Sequence, residues 1–182
     1  TVKFLEGKEK ILFLTTSNRG GWAVKELDEE PKSTKLARAV QSYLGKNKCT
    51  LIEVPDLKIY TCEANVSHMK GNECGLKKAV LKDKDKNPTG HHRCWRSINN
   101  PDDELWKISK VLFESDAVVF FGSIRWGQMN AIYQNLIERL TWLENRHTTL
   151  GESNLLKDTS CGIIAVGQNW NGKNVVDIQK QV

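Results

Sequence analysis

Apolar residues follow two rhythms along this chain. Short unbroken apolar runs alternate with longer stretches in which apolar residues return every three or four positions. Unbroken runs suit strands buried on both faces, and the periodic stretches suit helices with one buried stripe. Residues 10–15 (KILFLT) predict a first strand, 49–54 (CTLIEV, closed by Pro55) a second, 117–121 a third and 160–166 (SCGIIAV) a fourth. Residues 16–32 are polar, contain Gly20-Gly21 and Pro31, and read as a loop. From Ser33, residues Leu36, Ala39, Val40, Tyr43 and Leu44 share a helical face, with Ser33 or Thr34 as N-cap and Gly45 as the stop. Asn100-Pro101-Asp102-Asp103 opens another helix, its carboxylates set against the helix dipole, with Leu105, Ile108, Leu112 and Phe113 in one stripe. A third helix is expected from about 128 to 144, with Ile132, Leu136, Ile137, Leu140 and Leu143 inward, and another begins near Val175.

Alternating strands and amphipathic helices predict an α/β protein: a three-layer, doubly wound parallel sheet with right-handed crossovers. Residues 56–101 break the rhythm. They are polar, with alternating Lys and Asp from Lys82 to Lys86, and too long for an ordinary connection, so they read as an insertion after strand two within a single domain spanning 1–182. The sequence stops inside a helix at Val182. One more strand and helix would complete a five-stranded sheet, so a C-terminal strand and helix are expected to be missing from it.

In open α/β sheets, ligands bind at the carboxyl ends of the strands. Three loops fall there. After strand one comes Thr15-Thr16-Ser17-Asn18-Arg19, with Ser33-Thr34 opening the next helix. Hydroxyls, backbone N–H groups and a helix N-terminus make an anion cradle, and Arg19 adds a charged donor. After strand three comes Gly122-Ser123-Ile124-Arg125-Trp126-Gly127-Gln128-Met129, whose glycines admit a flat ligand and whose Trp126 can flank a ring. After strand four comes Gly167-Gln168-Asn169-Trp170-Asn171-Gly172, offering amides and an indole. Neither the glycine-lysine phosphate loop of nucleoside triphosphatases nor the G-x-G-x-x-G dinucleotide fingerprint is present. Each loop also has a plainer reading, as a polar turn, an ordinary cap or a packed tryptophan.

Of the 182 residues, 39% are hydrophobic and 27% charged, with a formal net charge of +5. No apolar run approaches the ~18 residues that a membrane span needs. No dense Lys/Arg run is interleaved with aromatics, so neither a membrane nor a nucleic acid is an expected partner. Residues 1–10 lack the apolar core of a signal peptide. The five cysteines, Cys49, Cys62, Cys74, Cys94 and Cys161, include no C-x-x-C pair, which suits a reducing, cytoplasmic setting.

Taken together, the three loops resemble the NADPH-dependent FMN reductase-like branch of the flavodoxin-like family, whose sheet runs in the order 2-1-3-4-5. That family ends its first strand in S-x-S-x-R or G-S-x-R and then places a small residue and Thr at the helix start. Here these positions are Thr15, Ser17, Arg19 and Ser33-Thr34. Its pattern G-S/T-P-x-Y-W-G-S/N-M-S/P-A, leading to F-I-D-R, is matched by residues 122–131 and by Leu136-Ile137-Glu138-Arg139. The resemblance implies that Ser17, Arg19, Ser33 and Thr34 hold the phosphate of FMN. Ser123, Ile124, Arg125, Trp126, Gly127, Gln128 and Met129 would run along the flavin ring, and Gly167, Gln168, Asn169 and Trp170 would close its other edge. It further implies an NAD(P)H-dependent oxidoreductase passing electrons through FMN to a small-molecule acceptor such as a quinone, azo compound or free flavin. No catalytic side chain is required. A flavodoxin-type electron carrier or redox-responsive regulator is the alternative, and a homodimer or homotetramer is expected, with Tyr133 and Trp142 as candidates for its surface or, equally, for the core. The sequence departs from the pattern in the long link from Arg19 to Ser33, and in Ile124 and Arg125 where the family has Pro and Tyr. The insertion carries Cys62, Cys74 and Cys94 with His68, His91 and His92. The four closely spaced cysteines of iron–sulfur relatives are not present. Isolated thiols are expected, with a three-cysteine, one-histidine zinc site or a redox-active pair as alternatives and no metal assigned.

Overall fold

In a computed structural model, the described residues are 2–18, 29–167 and 170–181. They form two compact units. The first comprises Thr1–Asp56, Ser115–Gln134 and Thr159–Val182, and the second Leu57–Glu114 and Asn135–Asp158. No helix among the described residues is long and apolar enough to cross a membrane.

The first unit is built on strands β1 (Ile11–Thr15), β2 (Cys49–Glu53), β3 (Ala117–Arg125), β4 (Gln128–Met129) and β5 (Ser160–Val166). Four of them run parallel in the spatial order β2-β1-β3-β5, and β4 folds back antiparallel on the end of β3. The chain thus has the flavodoxin-like α/β fold that its pattern predicts. Register aligns the strand ends: Thr15 lies beside Glu53 on one side and Phe121 on the other. All five residues of β1 are buried, as its unbroken apolar run requires. On one face Ile11, Phe13, Ala117, Val119, Phe121 and Cys49 pack with Ala37, Val40 and Leu44 of helix α2 (Lys32–Leu44) and Leu5 of α1 (Val2–Glu6). Phe13 and Phe121 meet edge to face, with centroids 5.1 Å apart. On the other face Phe120 meets Tyr133, centroids 5.7 Å apart.

Three boundaries differ from the sequence expectation. Helix α2 has Pro31 at its N-cap, so Ser33 and Thr34 lie inside its first turn and are buried. Its buried stripe passes through Ala37, leaving Leu36 and Tyr43 exposed, and the Tyr43 hydroxyl donates to Glu6 Oε1 at 2.9 Å. Strand β3 does not stop at Gly122 but continues to Arg125. Trp126 and Gly127, with φ of 49° and 73°, make a two-residue hairpin turn, the positive φ at both positions matching a type I′ geometry. Helix α5 therefore runs Ala131–Thr148 rather than 128–144.

The second unit contains much of the expected insertion, with single-turn 3-10 segments at Asn65–Ser67 and Lys77–Ala79 and helix α3 (Trp95–Asn99). It also takes in α4 (Leu105–Leu112) and the greater part of α5. The buried face of α5 in this unit is Leu136, Arg139, Trp142, Asn145 and Arg146, while Ile137, Leu140 and Leu143 are half-buried. Arg139 is inside because Asp103 is there to meet it. The guanidinium donates to Asp103 Oδ2 at 2.7 Å and Oδ1 at 2.9 Å, and both side chains are completely buried. Ser97 Oγ (2.8 Å) and the backbone N–H groups of Tyr60 (3.2 Å) and Leu105 (3.3 Å) complete the shell of the carboxylate. Burial alone would raise the Asp103 pKa, but Arg139, Ser97 and the Tyr60 N–H outweigh it and hold the group below the usual carboxylate range. Asp103 is thus half of a buried ion pair as well as a neighbour of the α4 N-terminus.

His92 joins the same network. Its Nε2 lies 3.0 Å from Ser97 Oγ and its Nδ1 2.9 Å from Ser109 Oγ. Ser97 has one proton, and it goes to Asp103. Nε2–H must then donate to Ser97, while Nδ1 faces the Ser109 hydroxyl, which also reaches the Leu105 carbonyl at 3.4 Å. Burial, with Arg139 nearby, pushes the His92 pKa down to about 4. The unfolded chain binds a proton at this residue near the ordinary ~6.5, so between those values the unfolded state holds more protons and stability rises with pH. Moving from pH 7 to pH 5 is expected to remove about 2 kcal/mol through this group. Urea titrations at the two pH values should show that loss in the native sequence and a smaller one in His92→Gln; equal losses in the two proteins would refute it.

Candidate functional site

The carboxyl ends of β1 and β3 bring the first two predicted loops together. Thr15, Thr16 and Ser17 are buried at the end of β1, and Asn18 is exposed. Ser33 Oγ donates to Ser17 Oγ at 2.7 Å, which joins the loop to the first turn of α2. Thr15 Oγ1 and Thr34 Oγ1 are buried with no hydrogen-bond partner among the described residues. An unmade hydrogen bond at a buried hydroxyl costs roughly 1–3 kcal/mol. Such a group in the first turn of a helix, with another at the end of the adjoining strand, fits the oxygens of a bound anion. Arg19, Gln168 and Asn169 lie outside the described residues.

The second loop is held by close packing. A Cβ on Gly122 would stand 2.3 Å from Met129 Cε and 3.0 Å from Thr16 Oγ1, so a larger residue would require the Met129 side chain to move. Asn130 was not singled out from the sequence, yet it ties the two loops together. Its Nδ2 donates to Thr16 Oγ1 (3.1 Å) and Ser123 Oγ (3.3 Å), and its Oδ1 accepts the Tyr133 N–H (3.1 Å) as the N-cap of α5. An Asn directly before a helix is the signal that could have found it.

The remaining predicted residues divide between packing and surface. Ile124 and Met129 are buried. Ile124 sits against Gly167 and Gly172: a Cβ on either glycine would come within 3.2 Å and 3.3 Å of it. Ser123 is half-buried. Arg125, Trp126 and Gln128 are exposed, Trp126 by 98%. The third loop meets this hairpin. Asn171 Nδ2 donates to the Gly127 carbonyl at 2.8 Å, and the Trp170 ring, 87% exposed, lies 3.6 Å from the position a Gly127 Cβ would take. Of the two roles open to Tyr133 and Trp142, oligomer surface or core, both take the core.

Residues 15–18, 122–130 and 170–172 contain no carboxylate, imidazole or thiol. These segments can bind, orient and exclude water, but they hold no side chain suited to proton transfer near neutral pH. Among the described residues no group of three His, Cys, Asp or Glu side chains is placed to hold a metal ion.

No protein-family model matches the chain. No curated protein matches it either. Among solved structures it resembles RosB, described with the bound intermediate OHC-RP (8-demethyl-8-formylriboflavin-5'-phosphate), at a TM-score of 0.57 and 13% identity. The match covers 94% of this chain and 57% of the RosB chain, so this chain spans little more than half the length of that protein. At that identity the likeness establishes a shared fold.

Asn130→Ala removes a helix cap and both side-chain bonds between the loops. It should cost about 1–2 kcal/mol of stability, read as a lowered urea midpoint, and an unchanged midpoint would contradict its joining role.

Proposed function

We propose that this chain binds FMN in the three-loop site and passes electrons from NAD(P)H through it to a small acceptor such as a quinone, azo compound or free flavin. The observation that carries this reading is the buried, unpartnered Thr34 hydroxyl in the first turn of α2, with a second such hydroxyl, Thr15, at the carboxyl end of β1. A phosphate monoester supplies the acceptors they lack. RosB, which shares the fold, is described with a bound riboflavin-5'-phosphate derivative, and this supports the same ligand class. The proximity of the Ser17–Ser33 pair to that helix start supports the same assignment.

Thr15, Ser17, Ser33, Thr34 and Arg19 would hold the phosphate. Ser123, Trp126 and Gly127, with Trp170 from the third loop, would border the ring. Ile124 would act from behind, fixing the hairpin against Gly167 and Gly172. FMN, when bound, supplies the hydride and electron chemistry, which is why loops without acid or base side chains suffice. The chain's own part is placement. Arg125 and the two exposed indoles would set which flat, electron-poor or anionic molecules approach the ring. Assembly as a homodimer or homotetramer in the cytoplasm belongs to the same proposal.

The decisive experiment is a flavin titration of the purified chain. FMN should bind with a changed visible spectrum, and Thr34→Val, which keeps the shape and removes the hydroxyl, should weaken binding about tenfold. Wild-type affinity in Thr34→Val would remove the phosphate assignment, and no FMN binding by the native sequence would remove the whole reading. Anaerobic addition of NADH or NADPH should then bleach the bound flavin; a flavin that stays oxidised with both would favour an electron carrier over an enzyme.

A further inference from the structure

Cys62, Cys74 and Cys94, far apart in sequence, line one small cavity in the second unit, of about 20 Å³. That is room for about one water-sized group. The same cavity is lined by Arg96, Arg139 and Trp142. Arg96 Nε, Arg139 Nε and Trp142 Nε1 are buried and make no hydrogen bond to any described residue. Three orphaned donors beside three reduced thiols are an unusual arrangement, because buried N–H groups are nearly always paired. The cavity therefore suits an oxygen acceptor of atomic size.

The three thiols are not equivalent. Burial, then the neighbouring Cys94 and Cys62, push the Cys74 pKa up to about 12, so Cys74 is kept as the thiol. Cys62 Sγ accepts from the neutral N–H of Ala64 at 3.4 Å. Cys94 Sγ accepts from the Arg139 guanidinium, Nη2 at 3.5 Å, which sets a cationic donor against its sulfur. Glu63 and the exposed Glu138 also line the cavity, and the Glu63 carboxylate is already held by Arg96 (3.4 Å) and Asn99 (3.1 Å). All three cysteines are half-buried, which leaves a path for a small oxidant.

We propose that Cys94 is a site of reversible oxidation by hydroperoxides, and that the oxygen it gains is held in this cavity by the orphaned N–H donors of Arg96, Arg139 and Trp142. In the step, the Cys94 thiolate attacks the terminal oxygen of R–O–O–H. The S–O bond forms as the O–O bond breaks, sulfur is oxidised by two electrons to Cys94–SOH, and RO⁻ leaves and takes a proton from water. A neighbouring thiol, Cys62 or Cys74, can then displace the sulfenic oxygen as water and close a disulfide. None of these residues belongs to the flavin site, so the proposal stands apart from that reading.

The test uses the full chain, free of flavin and in the dark, with equimolar hydrogen peroxide and dimedone, followed by peptide mass mapping. Cys94 should carry the first adduct, or the first disulfide to Cys62 or Cys74 (a loss of two hydrogens), roughly tenfold sooner than the exposed Cys161. Cys94→Ala should abolish that early product. A first modification at Cys161, at Cys62 or Cys74 without Cys94, or no reaction at Cys94, would overturn the proposal. The mapping of the native sequence decides the matter even if the variant folds poorly.

Discussion

Strand β1 is paired on both sides and buried at every position, and the arrangement of the first unit follows from that. A strand flanked by two parallel partners can satisfy its backbone only in register, and an unbroken apolar run is stable only with both faces covered. Once β1 is fixed, Thr15 must lie beside Phe121 and the loops after β1 and β3 must emerge together. The pairing of β5 with β3 brings Val166 beside Ser123, so the third loop starts at the same edge. The candidate site is therefore a consequence of strand register more than of any single motif.

The local chemistry of that edge is then settled by small residues and amides. Gly122 lets Met129 and Thr16 pack where a side chain would otherwise stand. Asn130 does three things with one side chain: it caps α5 and bonds to both neighbouring loops. Asn171 does the corresponding work between the hairpin and the third loop. Trp126 holds a positive φ, which costs a bulky residue steric energy and persists only where the surroundings enforce it. Here the enforcing element is the two-residue turn, which projects the indole into solvent.

The strands were legible because fully apolar runs of that length have few other readings, and the three loops were legible as their sequels. The hairpin was not. Its turn sequence is Trp-Gly, and a tryptophan at a left-handed position is rare enough that Gly122 read as the strand's end instead. The family pattern sets Ile124 along the ring, and its side chain packs against Gly167 and Gly172. Arg139 was legible only through the family pattern. Helical periodicity assigns charged residues to the outside, and nothing local marks Arg139 as the partner of Asp103, 36 positions earlier. The gathering of the three cysteines was hidden for the same reason, since long-range convergence leaves no trace in spacing.

The two units divide their chemistry sharply. The described loops at the sheet edge have hydroxyls, amides and indoles, together with Arg125, and nothing that titrates near neutral pH. The second unit buries Arg139, Asp103 and His92 in one hydrogen-bonded chain and gathers three thiols around a cavity that Arg139 also lines. A buried ion pair is costly to desolvate and is weak evidence for added stability, since an apolar replacement would often serve as well. Its retention here has a more specific physical sense. Arg139 offers Nη1 and Nη2 to Asp103, and Nη2 also reaches Ser97 and Cys94. One guanidinium thus orients the carboxylate, fixes the serine that sets the His92 tautomer, and polarises a thiol. No apolar side chain could couple those three groups.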